Sequence, residues 1–283
     1  MLPVARWSMK GMPQAALVAL VASAVPWLFW FGAAIAALVT LRKGMAPAMP
    51  VIAAAAVPAG WWWTQGDPIP LATTLLALLM AIVLRSRMRW GEALILGSLA
   101  GAAMIQLGVF LPKADTALML EQLRQSSSEV AAMLDELAAQ GLDASRLAEL
   151  VISGVTGLVV MLAAVACLAL ARSWQAGLYN PGGFRDEFHA LRLTPRELIL
   201  LVVLVIAGTL LGLPGIGMLA WIPLLMAGIG LTHGVVGRKG MNGLWLVAFY
   251  LLLITTWPMI LIVLVVALID TFADFRGRLG HSN

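Results

Sequence analysis

Charged residues are scarce in this chain of 283 residues. Asp, Glu, Lys and Arg together make up 11% of the sequence, 61% of the residues are hydrophobic, and the mean hydropathy is +0.95. Soluble proteins average about 25% charged residues, so this chain has too few to cover a water-soluble globule. The composition excludes an ordinary soluble domain and indicates a polytopic membrane protein.

Cysteine and histidine are also scarce. The single cysteine, Cys167, lies inside an apolar run, which excludes a disulfide within the chain. The three histidines, His189, His233 and His281, are too widely scattered to supply a metal cage. We therefore expect neither a metal site nor a cofactor.

Motifs for catalysis and energy coupling are missing as well. The sequence has no Gly-x-x-x-x-Gly-Lys-Ser/Thr phosphate loop and no His-Glu-x-x-His zinc motif. Nothing in it indicates that a Ser, a His and an Asp come together as a catalytic triad. Glu92 and Asp270 lie at the ends of predicted spans, where we expect water to reach them, and no charge lies mid-span. These absences disfavour a P-loop ATPase, proton antiport through a buried acid and an arginine voltage sensor, and we expect no enzymatic activity.

Long apolar runs are what the sequence does contain. A transmembrane helix needs about 20 apolar residues, and the three longest runs are interrupted at Pro26, Pro214 and Pro258. Division there gives about ten helical segments, whereas prolines that only kink a helix give about seven to nine. We predict an all-α transmembrane bundle of about 8–10 helical segments. The uncharged runs are Gly11–Leu41, Gly44–Gly66, Pro68–Leu84, Ala93–Pro112, Leu150–Ala171, Leu198–Gly237 and Gly240–Ile269.

Basic residues concentrate in alternate loops. With the N-terminus inside, the predicted cytoplasmic segments carry all of the 18 Lys and Arg residues except Lys113, Arg124 and Arg146. Such a bias places both termini in the cytoplasm. It also accounts for the pI of about 9.7 without nucleic acid as a partner.

The start of the chain has two interpretations. Arg6 and Lys10, followed by an apolar stretch and Ala22-Ser23-Ala24, imitate a cleavable signal peptide. The apolar sequence continues to Leu41, which favours an uncleaved first helix.

Charge divides the chain into three regions. Residues 1–112 and 149–283 hold the transmembrane helices, and residues 113–148 form an outer segment with apolar residues at helical spacing. We predict one outer amphipathic helix there, with Gly141 as its stop and Asp143 or Ser145 as the cap of the next helix. The helix packs on its own protein, covers a ligand cavity or contacts a second copy.

The cytoplasmic connector, residues 172–197, combines aromatic and charged residues. Asn180-Pro181-Gly182-Gly183 predicts a turn, and Thr194-Pro195-Arg196-Glu197 predicts a helix cap. Between them, Phe184 and Phe188 share one side of a short helix, with Arg185 on another. The segment is an interfacial connector or a docking site for a partner, in which Phe184, Arg185 and Phe188 would take part.

Two further groups of residues are candidates for binding. Ala15, Ala19 and Ser23 form a small-residue face that serves internal packing or docks on a separate membrane subunit. Trp61, Trp62 and Trp63 anchor the chain at the membrane interface or, with the polar Gln106, line an outward-facing cavity. The sequence leaves both alternatives open.

Two stretches resemble the YybS-like bacterial membrane proteins (domain of unknown function 2232), in the version found in proteobacteria. One is 172–195, with the core Trp-Gln-Ala-Gly-Leu-Tyr-Asn-Pro-Gly-Gly-Phe-Arg; the other is the ending, with Gly237-Arg238-Lys239-Gly240-Met241 and Asp270 through Arg276. The resemblance covers almost the whole chain but implies no catalytic or binding residue, because the family has no established activity.

That family is distantly similar to the S components of energy-coupling-factor vitamin importers. The resemblance implies a helical bundle that binds a small molecule near its outer face and docks through small residues on a coupling subunit served by ATPases. S components typically have six spans, fewer than predicted here, and no substrate-specific pattern carries over.

Two functions fit these observations. The first is a multi-pass protein of the bacterial inner (cytoplasmic) membrane that binds a small, partly apolar solute as a transporter-like subunit energised by partners. The alternative is a non-transporting scaffold or partner subunit of an envelope complex. The expected partners are the lipid bilayer, another membrane subunit or a second copy of the chain, and a small-molecule ligand.

Overall fold

The structure, a computed structural model, describes residues 1–111 and 116–280, with side chains described as far as residue 277. All regular secondary structure in these ranges is helical, which confirms the all-α part of the predicted fold class. Lys113 and His281 lie outside the described residues. The helices are α1 Leu2–Ser8, α2 Met12–Ala24, α3 Phe29–Lys43, α4 Met45–Thr64, α5 Ile69–Arg87, α6 Trp90–Gln106, α7 Thr116–Ser126, α8 Ser128–Ala139, α9 Ala144–Tyr179, α10 Gly183–His189, α11 Pro195–Leu210, α12 Pro214–Leu219, α13 Ile222–Arg238, α14 Leu244–Thr255, α15 Trp257–Ala273 and α16 Phe275–Gly280.

Four helical stretches of the described chain are long and apolar enough to cross a membrane. A fifth exists if α14 and α15, whose axes turn by 116° at their junction, count as one broken span. Helices α3, α6 and α11 have 15, 17 and 16 residues and are shorter than the candidate spans. The described residues therefore contain four to five candidate membrane-spanning helices, and the remaining helices are too short or too polar to count as spans by themselves. These spans are Met45–Thr64, Ile69–Arg87, Ala144–Tyr179 and Pro214–Arg238, with Leu244–Ala273 as the bent pair.

Each of the three predicted breaks coincides with a helix boundary. Pro26 begins a short 3-10 turn between α2 and α3, Pro214 begins α12, and Pro258 is the second residue of α15. Proline lacks the N–H that a helix interior needs, but it is tolerated in the first turn, where the N–H has no intrahelical partner. The prolines therefore start new helices at these three places.

Helix α3 lies at the centre of the N-terminal half. Its residues from Gly32 to Leu41 are all buried, and it packs against α2, α4, α5 and α9. A helix that is apolar on every side lies in a protein core or faces lipid, and for α3 it is the neighbouring helices that surround it. The alanines of α3 permit that close approach, so this half of the bundle is compact.

The C-terminal half is more open. Phe249 is the only buried residue of α14, and Ile254 is 83% exposed. An apolar helix with so little protein cover requires an apolar solvent around it. The exposed side chains of α14 are therefore the ones we expect to face lipid.

The segment predicted as one outer helix forms two, α7 and α8. Ser127 interrupts the helix and caps α8, because its hydroxyl accepts a hydrogen bond from the Val130 backbone N–H at 3.4 Å. Arg124 and Asp135 form an exposed ion pair between the two helices at 2.5 Å. Exposed pairs of this kind contribute about 0–1 kcal/mol.

The boundaries that follow this segment agree with the sequence. Gly141 has a φ of +74° just after α8, a conformation that glycine adopts without strain. The Asp143 carboxylate accepts hydrogen bonds from the backbone N–H groups of Ser145 and Arg146 at 2.9 and 3.2 Å. The predicted stop and cap are thus confirmed, and they fix where α9 begins.

Candidate functional site

A polar cavity of about 420 Å³ lies between the C-terminal end of α6, the N-terminal end of α9 and the turn before α12. Its polar side chains are Gln106, Arg146, Glu149 and Ser153. Small-molecule sites commonly measure about 300–1,000 Å³. This cavity is large enough for a small solute, and we call it the polar cavity.

Helix α9 supplies three of these four side chains. Arg146, Glu149 and Ser153 are spaced i, i+3 and i+7, which places them on one face of the helix. Arg146 is exposed, Glu149 is half-buried and Ser153 is only 3% exposed. The cavity therefore has a charged mouth and a neutral, buried hydroxyl at depth.

Two glycines bring α9 close to the opposite wall. A Cβ atom at Gly157 would lie 2.6 Å from Ile105 Cδ1, and one at Gly154 would lie 2.4 Å from Met218 Sδ. No larger residue fits at either position without a shift of its neighbour. These contacts with α6 and α12 close the cavity below Ser153.

Among the described residues, the polar side chains of this cavity have no hydrogen-bond or ion-pair partner. Ser153 Oγ is buried without a hydrogen bond. The side chains of Gln106, Arg146 and Glu149 form no hydrogen bond or ion pair within the described part of the chain. A buried polar group without a partner costs about 1–3 kcal/mol, so a ligand that bonds to Ser153 would recover this energy.

An apolar cavity of about 330 Å³ adjoins the polar one. The two share Gln106, and the other walls of the second cavity include Leu99, Leu107 and Ile216. Gln106 therefore stands between a polar and an apolar compartment. A ligand that spans both would need a polar head and an apolar tail.

The predicted tryptophans do not join Gln106 in this cavity. Trp61 is 55% exposed, and Trp62 donates a hydrogen bond from Nε1 to the Ser23 carbonyl at 3.2 Å. Trp63 is half-buried at the end of α4. None of the three lines the polar cavity, so the structure separates the two groups that the sequence analysis combined.

The small-residue face of α2 is covered by the chain itself. Ala15, Ala19 and Ser23 are 1%, 0% and 0% exposed, and α2 packs against α3 and α4. A Cβ atom at Gly32 of α3 would lie 2.2 Å from Ser23 Oγ. The predicted docking of a separate subunit on this face does not fit the structure, because internal packing occupies it.

The connector helix α10 also packs inward. The rings of Phe184 and Phe188 stack at 5.7 Å, and Phe188 lies edge-on to His233 of α13 at 5.4 Å. Arg185 is exposed. Of the three predicted docking residues, only Arg185 is open to a partner, because both phenylalanines fill the contact with the bundle.

His189 ends α10 beside several positive charges. Partial burial, followed by the charge of Arg185, lowers the pKa of His189 below its ordinary value of 6.5. The folded protein thus favours the neutral imidazole. At a pH between the lowered pKa of the folded protein and the ordinary pKa of the unfolded chain, His189 binds fewer protons in the folded protein. The contribution of His189 to stability is complete above about pH 6.5 and declines as the pH falls below that value.

This titration gives a testable pH dependence. We expect the melting temperature of the wild type to fall as the pH is lowered from about 7.5 to about 5, and His189→Gln to show a shallower fall because position 189 no longer titrates. Melting is followed by tryptophan fluorescence in one detergent. Identical pH profiles for the two proteins would contradict the assignment.

Arginines from several helices meet acidic partners at the end of the bundle remote from the polar cavity. Arg89 Nη2 lies 2.9 Å from Glu197 Oε1, and Glu197 also accepts from the backbone N–H of Thr194 at 2.7 Å. Thr194 in turn caps α11, which confirms the predicted cap. Arg172 pairs with Glu187. We call this end the basic end, and its arginines include Arg42, Arg85, Arg89, Arg172, Arg192, Arg238 and Arg276.

The ion pair of Asp270 and Arg276 is the most deeply buried at this end. Asp270 is 1% exposed and Arg276 is 7% exposed, with Arg276 Nη2 at 3.3 Å from Asp270 Oδ2. Arg276 also donates to the carbonyls of Leu191 and Ala227 at 2.6 and 3.2 Å. The prediction that water reaches Asp270 is wrong, because α16 turns back over it.

No group of three or more His, Cys, Asp or Glu side chains in the described ranges could hold a metal ion. The polar cavity provides an amide, a guanidinium, a carboxylate and a hydroxyl, which suit an organic solute.

No family model, curated protein or solved structure matches this chain. The resemblance to YybS-like proteins stays a prediction.

Sequence reasoning missed Arg146, Glu149 and Ser153 as binding residues. Arg146 enters the sequence analysis only as one of the three basic residues outside the predicted cytoplasmic segments. The spacing of the three along α9 was a signal that could have indicated a shared face. The apposition of that face to Gln106 depends on helix packing and has no signal in the sequence.

Proposed function

We propose that this chain is a transporter-like subunit of the bacterial inner membrane that binds a small zwitterionic solute in the polar cavity and relies on partners for energy. The observation that carries the proposal is the unpaired, buried Ser153 hydroxyl, which faces the cavity beneath the unpaired Arg146 and Glu149. Arg146 would bind a carboxylate or phosphate, and Glu149 would bind an ammonium group. The adjoining apolar cavity supports a solute with an apolar portion.

The charge distribution supports an outward-facing site. Basic residues favour the cytoplasmic side of a membrane, and the basic end includes Arg172 on α9. Ser153 precedes Arg172 by 19 residues of the same helix, which corresponds to about 28 Å at 1.5 Å per residue. The polar cavity would then open on the outer side.

Ligand-induced stabilisation tests the proposal. A panel of zwitterionic amino acids with aliphatic or aromatic side chains is added to the detergent-solubilised protein, and the melting temperature is measured. We expect a binder to raise it, since a ligand at 100 times its Kd adds about 2.7 kcal/mol. Ser153→Ala is expected to weaken that ligand by about tenfold, and Gln106→Leu to weaken it while leaving the unliganded melting temperature unchanged.

Ser98 provides a matched control for Ser153. Its hydroxyl is equally buried, at 3% exposure, and also has no hydrogen bond, but it faces a space of only about 10 Å³. Ser98→Ala should leave ligand binding unchanged. Equal effects of Ser98→Ala and Ser153→Ala on the ligand Kd would remove the polar cavity from the binding site.

Native mass spectrometry of the protein in lipid discs separates this function from the alternative. A small molecule retained by the wild type and lost by Ser153→Ala supports solute binding. A stoichiometric envelope protein without a small molecule would instead favour a scaffold.

A further inference from the structure

Another cavity, of about 830 Å³, lies in the angle between α14 and α15. The two helices diverge because their axes turn by 116° at Thr256, and α13 closes one side of the opening. We call it the apolar cavity of the C-terminal half. Its walls include Val235, Met241, Trp245, Phe249, Met259 and Phe275.

The walls of this cavity select an apolar occupant. Thr232 is the only lining residue with a hydroxyl, and that hydroxyl already donates to the Gly228 carbonyl at 3.1 Å. Two side chains at the rim, Trp245 and Leu252, are 60% and 49% exposed. The cavity therefore opens sideways, through the helix that we expect to face lipid.

One edge of the cavity carries positive charge. Arg238 and Lys239 are exposed in the turn from α13 to α14, between the lining residues Val236 and Met241. Lys239 has no ion pair in the described residues.

Acidic side chains near this edge are already neutralised. Asp270 pairs with Arg276 at 3.3 Å, and Asp274 pairs with Arg192 at 2.7 Å. The positive charge of Arg238 and Lys239 is therefore in surplus and would attract an anion from outside the chain.

We propose that this cavity binds an anionic phospholipid. One acyl chain would lie between α13, α14 and α15, and the phosphate would lie beside Arg238 and Lys239. The apolar walls accept an acyl chain without leaving a polar group unpaired and pack against it, while the basic edge supplies the preference for negative charge. The site is separate from the polar cavity, and its lipid would be structural or regulatory.

Lipid titration followed by native mass spectrometry tests this proposal on the full chain in a nonionic detergent. Phosphatidylglycerol and phosphatidylcholine with identical acyl chains are compared. We expect one phosphatidylglycerol to be retained per chain, with a severalfold preference over phosphatidylcholine. Lys239→Gln should reduce that preference about fivefold, since one basic residue at an anionic surface contributes about that factor, without changing phosphatidylcholine binding.

A second variant tests the acyl-chain position. Ala248 lines the cavity and is exposed, so Ala248→Trp would fill the space without entering a packed core. We expect it to abolish retention of both lipids. The matched controls are Ala53→Trp on the exposed side of α4 and Lys43→Gln at the end of α3, neither of which should alter lipid retention.

Three results would overturn the proposal. The first is equal retention of phosphatidylglycerol by Ala248→Trp and the wild type, and the second is equal binding of the two lipids by the wild type. The third is a lipid-free dimer, which would assign this face to a second copy of the chain. The lipid proposal is independent of the proposed function, so a failure to detect amino-acid binding at the polar cavity would not contradict it.

Discussion

Asp270→Asn is expected to lower the free energy of unfolding by about 3–5 kcal/mol. The substitution leaves the Arg276 guanidinium charged and buried without its carboxylate, while the side chain keeps nearly the same size. Burial already lowers the pKa of Arg276, and Asp270 opposes that shift. Unfolding is measured by denaturant titration in detergent micelles, with tryptophan fluorescence as the signal.

Asp274→Asn is the matched control for this prediction. The Asp274 side chain is 53% exposed and its partner Arg192 is 35% exposed, so loss of this pair should cost about 0–1 kcal/mol. Asparagine also tolerates the left-handed conformation of position 274, where φ is +45°. If Asp270→Asn proved no more destabilising than Asp274→Asn, the buried pair would not hold the C-terminal helix in place.

Removal of both buried charges shows whether the stability lost in Asp270→Asn comes from the unpaired charge of Arg276 or from lost hydrogen bonds. The double variant Asp270→Leu with Arg276→Met leaves neither charge unpaired, and apolar replacement of a buried pair is often neutral or stabilising. We therefore expect it to be more stable than Asp270→Asn. A double variant less stable than the single one would assign the effect to the hydrogen bonds that both side chains lose, those that Arg276 donates to Leu191 and Ala227 and the one that Asp270 accepts from the Phe275 N–H.

Gly230→Ala is expected to destabilise the protein by about 1–3 kcal/mol through overpacking. A Cβ atom at this position would lie 2.6 Å from the Phe188 carbonyl oxygen and 3.2 Å from Leu191 Cβ. The first contact is with backbone, which cannot rotate away as a side chain could. The substitution would push the connector off α13, and denaturant titration would report the loss.

Gly217 provides the comparison for Gly230. It lies in α12, and a Cβ atom there would meet nothing within 4 Å. Alanine stabilises a helix by about 0.5–1 kcal/mol relative to glycine, so Gly217→Ala should be neutral or stabilising. Similar losses of stability in both variants would mean that the contact between the connector and α13 does not limit residue size at position 230.

Several features could be predicted from sequence because they depend on neighbours along the chain. The helix breaks at Pro26, Pro214 and Pro258 follow from the geometry of proline. The caps at Asp143 and Thr194 follow from the reach of a side chain to the next turn. The all-α class follows from apolar runs in a chain with 11% charged residues.

The pattern of apolar residues did not fix which helices are long enough to span a membrane. The uncharged run that holds α2 and α3 divides into helices of 13 and 15 residues. Both contribute to the core, since Ala19 of α2 and the middle of α3 are fully buried. Hydropathy reports transfer out of water, and it does not distinguish burial in lipid from burial in protein.

The sequence by itself determined that the chain is helical with segments apolar enough to cross a membrane, that its longest apolar runs break at Pro26, Pro214 and Pro258, and which end of the bundle is basic, because composition, proline geometry and charge are properties of single residues and their neighbours. Only the tertiary structure decided that Ala15, Ala19 and Ser23 face the chain's own helices, that Asp270 is buried against Arg276, and that Gln106 lines a cavity with Ser153 instead of with the tryptophans. The physical reason is the same in each case. These features join residues far apart in sequence, and their proximity depends on the angles and faces at which helices pack.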